Sequence, residues 1–326
     1  METRRRVLQA IAETGYTPDT VARSLRSSRS QAIGLVLPDI RNPFFAGVID
    51  GVESEARANR QTLLFVNSGE DPEREIDAFH QLRSRRVDGL IVGLTRDTPA
   101  EALEGLRRSG TPVVLVDRAG PPEFDQVLVA NDVAARVLVE HLVRAGRQRI
   151  GMIAGVRGIS TAEDRIAGFE EGLTLAGRPV GPSLIVDGGS RRELSRHAVA
   201  EALRRDAVSR FDALVVGNND MALGTLEAIA LLGLRVPDDV AVVSLDDLPS
   251  GHLLASPLTA AVQPSFSMGR EALRLLLSRI AATGAGPQRV RLRAGFVHRS
   301  SCGCADTEVA RGRGGEVASA LPVAEA

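Results

Sequence analysis

Short runs of valine, isoleucine and leucine recur along this chain, each separated from the next by a stretch of helical periodicity. This alternation constrains the fold more than any other feature. Runs at 32–37, 62–67, 89–93, 112–116 and 126–129 form one series, and those at 149–154, 183–186, 213–217 and 240–245 a second. They show little polar alternation, the pattern of strands buried on both faces of a parallel sheet. Helical stretches fall between them, for example 44–59, 73–85, 132–145, 162–176, 192–206 and 221–232. A strand near 258–262, a helix over 267–282 and a strand over 290–296 complete the order. Two successive series of alternating β and α predict an α/β chain with two doubly wound parallel-sheet subdomains.

The length of 326 residues accommodates two such units. Forty basic side chains nearly cancel 41 acidic ones, so any contact with nucleic acid must come from a local patch. The first thirty residues supply one, with arginines at 4, 5, 6, 23, 26 and 29 facing only Glu2, Glu13 and Asp19. Arg4–Thr14 reads as a short helix with Val7, Leu8 and Ile11 on one face, stopped by Gly15 and Pro18. Asp19–Arg26 reads as a second, with Asp19 as its cap. Taken alone, this second segment fits a DNA-docking helix and a solvated basic linker equally well. No apolar run is long enough to span a bilayer and no leader-like apolar region follows the first arginines, so a cytoplasmic protein with no membrane contact is expected. Residues 303–326 are rich in small and charged residues without periodicity and read as a disordered tail.

Catalytic signatures are lacking. The glycines in Gly151-Met152-Ile153-Ala154-Gly155-Val156-Arg157-Gly158 miss the spacing of a dinucleotide-binding loop, and no phosphate-binding Walker loop is present. The histidines at 80, 141, 197, 252 and 298 are scattered, and His141 reads as structural. Cys302 and Cys304, one residue apart, read as incidental thiols, because two thiols alone do not make a zinc site. No cofactor, no metal and no enzymatic activity are expected.

More specific signals lie in an ordered set of short motifs. Gly15-Tyr16-Thr17-Pro18-Asp19-Thr20-Val21-Ala22-Arg23-Ser24-Leu25-Arg26 is followed by Ile33-Gly34-Leu35-Val36-Leu37-Pro38-Asp39-Ile40 and Asn42-Pro43-Phe44-Phe45. Then come Arg86-Val87-Asp88-Gly89-Leu90-Ile91, Asp117-Arg118, Asn131-Asp132, Arg165-Ile166-Ala167-Gly168-Phe169, Asn219-Asp220-Met221-Ala222, Asp246-Asp247 and Gln263-Pro264. Together, from about Glu2 to Cys302, they resemble the LacI/GalR family of bacterial transcription regulators. The resemblance implies a periplasmic-binding-protein-like (type I) core behind a hinge helix and a helix-turn-helix head. The present sequence begins where the family's third helix stands, so a remnant of that head is expected, with a longer natural protein favoured over a headless one. The expected division is 1–30 for remnant and hinge, 31–147 with 264–292 for the N-terminal subdomain, 148–263 with 293–302 for the C-terminal subdomain, and 303–326 for the tail.

The same resemblance implies a homodimer on palindromic operator DNA. Leu25 would wedge into the minor groove, with Ala22, Arg23, Arg26 and Arg29 alongside it. It also implies a small effector, a sugar by preference, in the cleft between subdomains. Ligands of open α/β sheets bind beyond the carboxyl ends of the strands, which nominates Asn42, Phe44, Phe45, Asp117, Arg165, Asn219, Asp246 and Gln263. At least one of the two phenylalanines is expected to pack under its own helix, and Arg118 is an alternative partner for Asp117. Ser244 and Leu245 depart from the family's glycine and aromatic before the paired aspartates, which alters the pocket's shape. A soluble sugar-binding protein without a DNA-reading role is the alternative, and a nucleotide-dependent dehydrogenase a third reading that the loop chemistry disfavours.

Overall fold

The computed structural model describes residues 2–14, 30–204, 210–282, 284, 286–304 and 322–323. The expected hinge segment, with Ala22, Arg23, Leu25, Arg26 and Arg29, lies outside the described residues, as does most of 303–326.

After helix α1 (Glu2–Thr14), a first βα series runs β1 (Ala32–Leu37), α2 (Pro43–Ala58), β2 (Thr62–Asn67), α3 (Pro72–Ser84), β3 (Gly89–Val92), α4 (Ala100–Arg108), β4 (Val113–Val116) and β5 (Asp125–Val129). The second runs α5 (Asn131–Arg144), β6 (Ile150–Ala154), α6 (Ser160–Leu175), β7 (Ile185–Asp187), α7 (Arg192–Leu203), β8 (Ala213–Val216), α8 (Asn219–Leu231), β9 (Ala241–Leu245) and β10 (Thr259–Val262). The chain then returns with α9 (Ser265–Ala281) and β11 (Arg289–Leu292), crosses again for β12 (Gly295–Val297), and ends with β13 (Pro322–Val323).

The first sheet has the order β13-β11-β5-β4-β3-β1-β2 and the second β12-β10-β9-β8-β6-β7. Pairing is parallel throughout except for β10 with β12 and β11 with β13. Each sheet contains the order 2-1-3-4-5 of a doubly wound unit, so each has a topological switch point, between β1 and β3 and between β6 and β8.

Two sequence expectations need correction. The single strand expected over 290–296 is two strands in different sheets, parted at Arg293-Ala294. The first crossing also precedes the expected 147/148 boundary. Ala134, Ala135, Leu138, Val139 and Leu142 of α5 belong to the core cluster of β6, β8 and β9, so the chain changes subdomain near Ala130. An amphipathic stripe shows that a helix must be covered, not by which sheet.

Helix starts follow local chemistry. Asn42 caps α2, accepting from the Phe44 N–H at 3.0 Å, with Pro43 at the first helical position. Asn218 caps α8 in the same way through the Met221 N–H at 2.7 Å. The helix beneath the cleft is packed without spacers. A Cβ on Gly269 of α9 would collide with the Val48 carbonyl of α2, and one on Gly51 with the Phe266 carbonyl of α9. These glycines allow the two helices to touch backbone to backbone.

Candidate functional site: the cleft between the two sheets

The carboxyl ends of both sheets face one another across a cleft, and the residues just beyond the strands meet there. Asn42 follows β1, Asp117 follows β4, Asn219 opens α8 after β8, Asp246 follows β9, and Gln263 follows β10 at the second crossing. Asn219 Nδ2 donates across the cleft to Asn42 Oδ1 at 3.1 Å. The Ala119 N–H, beyond β4, donates to Ser160 Oγ at the start of α6 at 2.9 Å. Gln263 Nε2 donates to Asp246 Oδ1, tying the crossing to the end of β9.

Arg165 lies under the cleft, 8% exposed, and is held from two sides. Its Nε donates to Asn131 Oδ1 at 2.8 Å and its Nη1 to the Gly217 carbonyl. Its sequence neighbour Glu163 is engaged elsewhere, by Arg157 and the Gly158 N–H. The guanidinium is thus oriented by neutral groups while its charge acts on two buried aspartates.

Those aspartates are Asp117 and Asp246, 9% and 5% exposed. Burial pushes the Asp117 carboxyl above its ordinary range, opposed by Arg118 and Arg165. Burial likewise pushes Asp246 up to about 6, opposed by Arg165 and by hydrogen bonds from Gln263 and the Asn219 backbone. Both sit at positive φ, 67° and 143°, backbone conformations that cost about 1–3 kcal/mol in a residue with a side chain. Gln31, Arg60, Glu70, Arg86 and Ser190 share positive φ, so it is the burial of both carboxyls at facing strand ends, not the backbone conformation, that singles out this pair.

Arg118 does not pair with Asp117. Its guanidinium donates to Glu70 at 2.5 and 3.0 Å and to the Leu94 carbonyl at 2.8 Å. Burial disfavours its charge but the Glu70 hydrogen bonds prevail, holding its pKa above the ordinary arginine range. Arg118, Thr98, Ile159 and Ser160 help line a cavity of about 210 Å³ reaching from one subdomain to the other. A larger hollow of about 780 Å³ lies beside Arg86, Asp88 and Pro112. These residues precede β3 and β4, so that hollow is at the amino ends of the strands, where sheets of this kind do not bind ligands.

Phe44 and Phe45 are placed differently from the polar candidates. Both are buried in the first core, edge to face with ring centroids 5.1 Å apart. Sequence reasoning did not nominate Asn131, Ser160 or Glu70, whose partners Arg165, Ala119 and Arg118 lie 34 or more residues away along the chain. Gln263 Oε1 and Ser244 Oγ are buried and have no hydrogen-bonding partner among the described residues.

The arrangement offers acceptors at Asp117, Asp246 and Gln263 and donors at Arg165 and Asn219, all beyond strand ends. This set hydrogen-bonds hydroxyl groups in both directions. It contains no nucleophile paired with a base.

The chain matches the family described as periplasmic binding proteins and sugar binding domain of LacI family over residues 30–300. It is 31% identical to the HTH-type transcriptional repressor PurR of Haemophilus influenzae over 289 residues, 88% of this chain and 85% of that protein. It is 34% identical to the ribose operon repressor of Halalkalibacterium halodurans, over 86% of this chain and 82% of that protein. Among solved structures, the complex of the transcriptional regulator CelR with cellobiose superposes with a TM-score of 0.76 at 29% identity, covering 92% of this chain and 90% of that one.

Proposed function

The chain belongs to the LacI family of transcriptional regulators, and from that premise we propose that it is a homodimeric, cytoplasmic repressor whose operator affinity is set by a sugar in the cleft. The observation that carries the effector site is the pair of buried carboxylates, Asp117 and Asp246, flanking Arg165 at facing strand ends. Hydroxyl groups donate to carboxylates, and a fixed guanidinium donates to ring and hydroxyl oxygens. The names of two relatives, a ribose operon repressor and a cellobiose complex, favour the same ligand class.

Control of DNA runs through the junction at Ser30. The Ser30 N–H and Oγ donate to Asp88 Oδ1 at 2.7 and 3.0 Å, and the Gln31 N–H to Asp88 Oδ2 at 2.9 Å. This clamp fastens the segment before β1 to the first subdomain, so a change in subdomain orientation moves the point from which the segment emerges. In a two-fold dimer, two such segments approach or separate together. We assign operator contact to Ala22, Arg23, Leu25, Arg26 and Arg29 in that segment, with Leu25 as the minor-groove wedge. Effector and operator then alter each other's affinity by the same factor.

The test is a calorimetric screen of pentoses, hexoses and disaccharides, with nucleobases as the competing class, followed by operator titration. The operator is the sequence that the full-length protein selects from a random library. A sugar that binds, loses affinity in Arg165→Lys and shifts operator affinity is the expected result. Binding of a nucleobase alone, or a sugar that leaves operator affinity unchanged at saturation, would overturn the reading. Leu25→Ala is expected to weaken operator binding at least tenfold with effector affinity intact.

A further inference from the structure

A second cluster of chemistry lies at the opposite end of α5 from the cleft. Asn131, at the cleft, opens α5, and His141 stands ten residues along it, about 15 Å away. After β12 the chain passes His298, makes a short 3-10 turn over Ser300–Cys302, and reverses through Gly303 at φ 73° to present Cys304. Four ligand atoms converge there: one nitrogen each from His141 and His298, and the sulfurs of Cys302 and Cys304, all within 4.8 Å of one another. Cys304 Sγ is 3.3 Å from His141 Nε2 and 2.8 Å from His298 Nε2. Cys302 Sγ is 3.3 Å from His298 Nε2 and 2.6 Å from Cys304 Sγ.

These spacings fit neither packed thiols nor a covalent link. The two sulfurs are closer than non-bonded contact and farther than the roughly 2.0 Å of a disulfide. Around a tetrahedral zinc ion, with Zn–S near 2.3 Å and Zn–N near 2.0–2.1 Å, neighbouring ligand atoms stand about 3.3–3.8 Å apart. Two of the four spacings are already there, and the other two need open by only about 1 Å.

Apart from a 3.3 Å contact from Cys302 Sγ to the Arg299 carbonyl, the turn carrying the thiols is held by bonds that do not involve them. Arg299 pairs with Asp247 at 2.6 and 2.7 Å and donates to the Leu258 carbonyl. Ser301 Oγ donates to the Val242 carbonyl at 2.6 Å and accepts from the Thr259 N–H at 2.8 Å. Arg147 Nη2 donates to the Cys302 carbonyl at 3.1 Å. Gly303 sits at φ 73°, a left-handed conformation that favours glycine, and a Cβ there would also press on Pro237, so the reversal that brings Cys304 back suits glycine. The ligands are therefore positioned by their surroundings, as an ordered metal site requires.

We infer that His141, His298, Cys302 and Cys304 form a closed Cys2His2 site for a zinc ion that fastens the segment after β12 to α5. Two thiolates and two imidazoles in tetrahedral array select zinc among common divalent ions, and four protein ligands leave no position for substrate, so the role is structural. The ion would link residue 141 to residues 298–304 and secure the second sheet just beyond the crossing at Arg293-Ala294. The site does not depend on the effector reading, and it lies apart from the cleft.

The test is metal analysis of the full chain purified without chelator, then cobalt titration after chelator treatment under reducing conditions. About one zinc per chain is expected. Cobalt should saturate at one equivalent with the visible bands of tetrahedral coordination and a thiolate-to-cobalt charge-transfer band, both erased by zinc. Removing the metal should lower Tm, and zinc but not magnesium should restore it. Cys304→Ser, at a half-exposed position, is expected to weaken zinc binding at least about 100-fold while the chain stays folded by circular dichroism. His298→Gln provides a second variant with the same expectation. Equal cobalt uptake by the parent and both variants would overturn the site. So would the reduced protein binding no cobalt, or a Cys302–Cys304 disulfide in metal-free protein with Tm indifferent to zinc.

Discussion

Asn219 and Asn42, each beside the switch point of its own sheet, hydrogen-bond to one another across the cleft, Nδ2 to Oδ1 at 3.1 Å. Each is also tied into its own helix start. Asn42 Oδ1 accepts from the Phe44 N–H, and Asn219 Oδ1 from the Asp220 N–H at 2.8 Å. The bond therefore joins two helix N-termini rather than two loose side chains, and the relative orientation of the subdomains bears on it directly. Asn42→Ala removes both a cap and the cross-cleft bond, and is expected to cost about 1–3 kcal/mol. Asn219→Ala removes the bond and keeps the Asn42 cap. A double-mutant cycle on denaturant unfolding should show a coupling of about 0.5–1.5 kcal/mol. Strict additivity would mean that the bond carries no energy between the subdomains.

Arg165 is oriented by Asn131 and the Gly217 carbonyl, and its charge bears on Asp117 and Asp246. Arg165→Lys keeps a cation but loses the planar fork that reaches both anchors and a ligand at once. Effector affinity should fall about 10–100-fold, equivalent to about 1.4–2.7 kcal/mol, measured by calorimetry. Because lysine still offsets part of the aspartate charge, Tm should fall less than in Arg165→Ala. Equal effector affinity for Arg165→Lys and the parent would remove Arg165 from the ligand's contacts.

Gly269 faces the Val48 carbonyl with no room for a methyl group. Because α2 and α9 begin at Asn42 and just after Gln263, spreading them displaces two cleft residues together. Gly269→Ala is expected to destabilise the fold by about 1–3 kcal/mol through overpacking, even though alanine is the better helix former by about 1 kcal/mol. A rise in Tm would show that the helices shift to admit the methyl without cost.

Much of this was legible from residue pattern. Strands buried on both faces leave aliphatic runs with little polar interruption, and β1, β3, β4 and β8 carry them, with β9 broken only by Ser244. The strand-end rule located Asn42, Asp117, Asn219, Asp246 and Gln263, because position beyond a strand is a property of the sequence. Contacts between distant segments were not legible. The anchors of Arg165 lie 34 and 52 residues away, so its orientation could not be read from its neighbours Glu163 and Asp164. The phenylalanine pair misled in part. Aromatic character suits a sugar face, but both rings follow the buried stripe of α2 into the core. Cys302 and Cys304 read as incidental because nothing in sequence shows that α5 passes beside them and delivers His141.

Asp246 joins burial, strain and charge in one side chain. Its carboxyl is raised from 3.8 to about 6 in the folded protein, with burial the main cause. Between these values the folded state binds the proton more tightly than the unfolded chain, so the contribution of Asp246 to stability falls as pH rises from about 4 to about 6 and is level above that. The ionised form thus costs the fold about 3 kcal/mol at neutral pH. Asp246→Asn removes this cost while keeping a similar shape. In urea unfolding, the variant's stability relative to the parent should be near zero at about pH 4 and favourable by up to about 3 kcal/mol at pH 7. A ligand whose hydroxyl donates to the carboxylate binds the ionised form. Effector affinity in the parent should therefore rise through pH 6, with a proton released on binding, while Asp246→Asn binds weakly and without that dependence. A stability difference that does not change with pH would show that Asp246 titrates like an ordinary exposed aspartate, and that the cleft does not hold the charge at a cost which a sugar relieves.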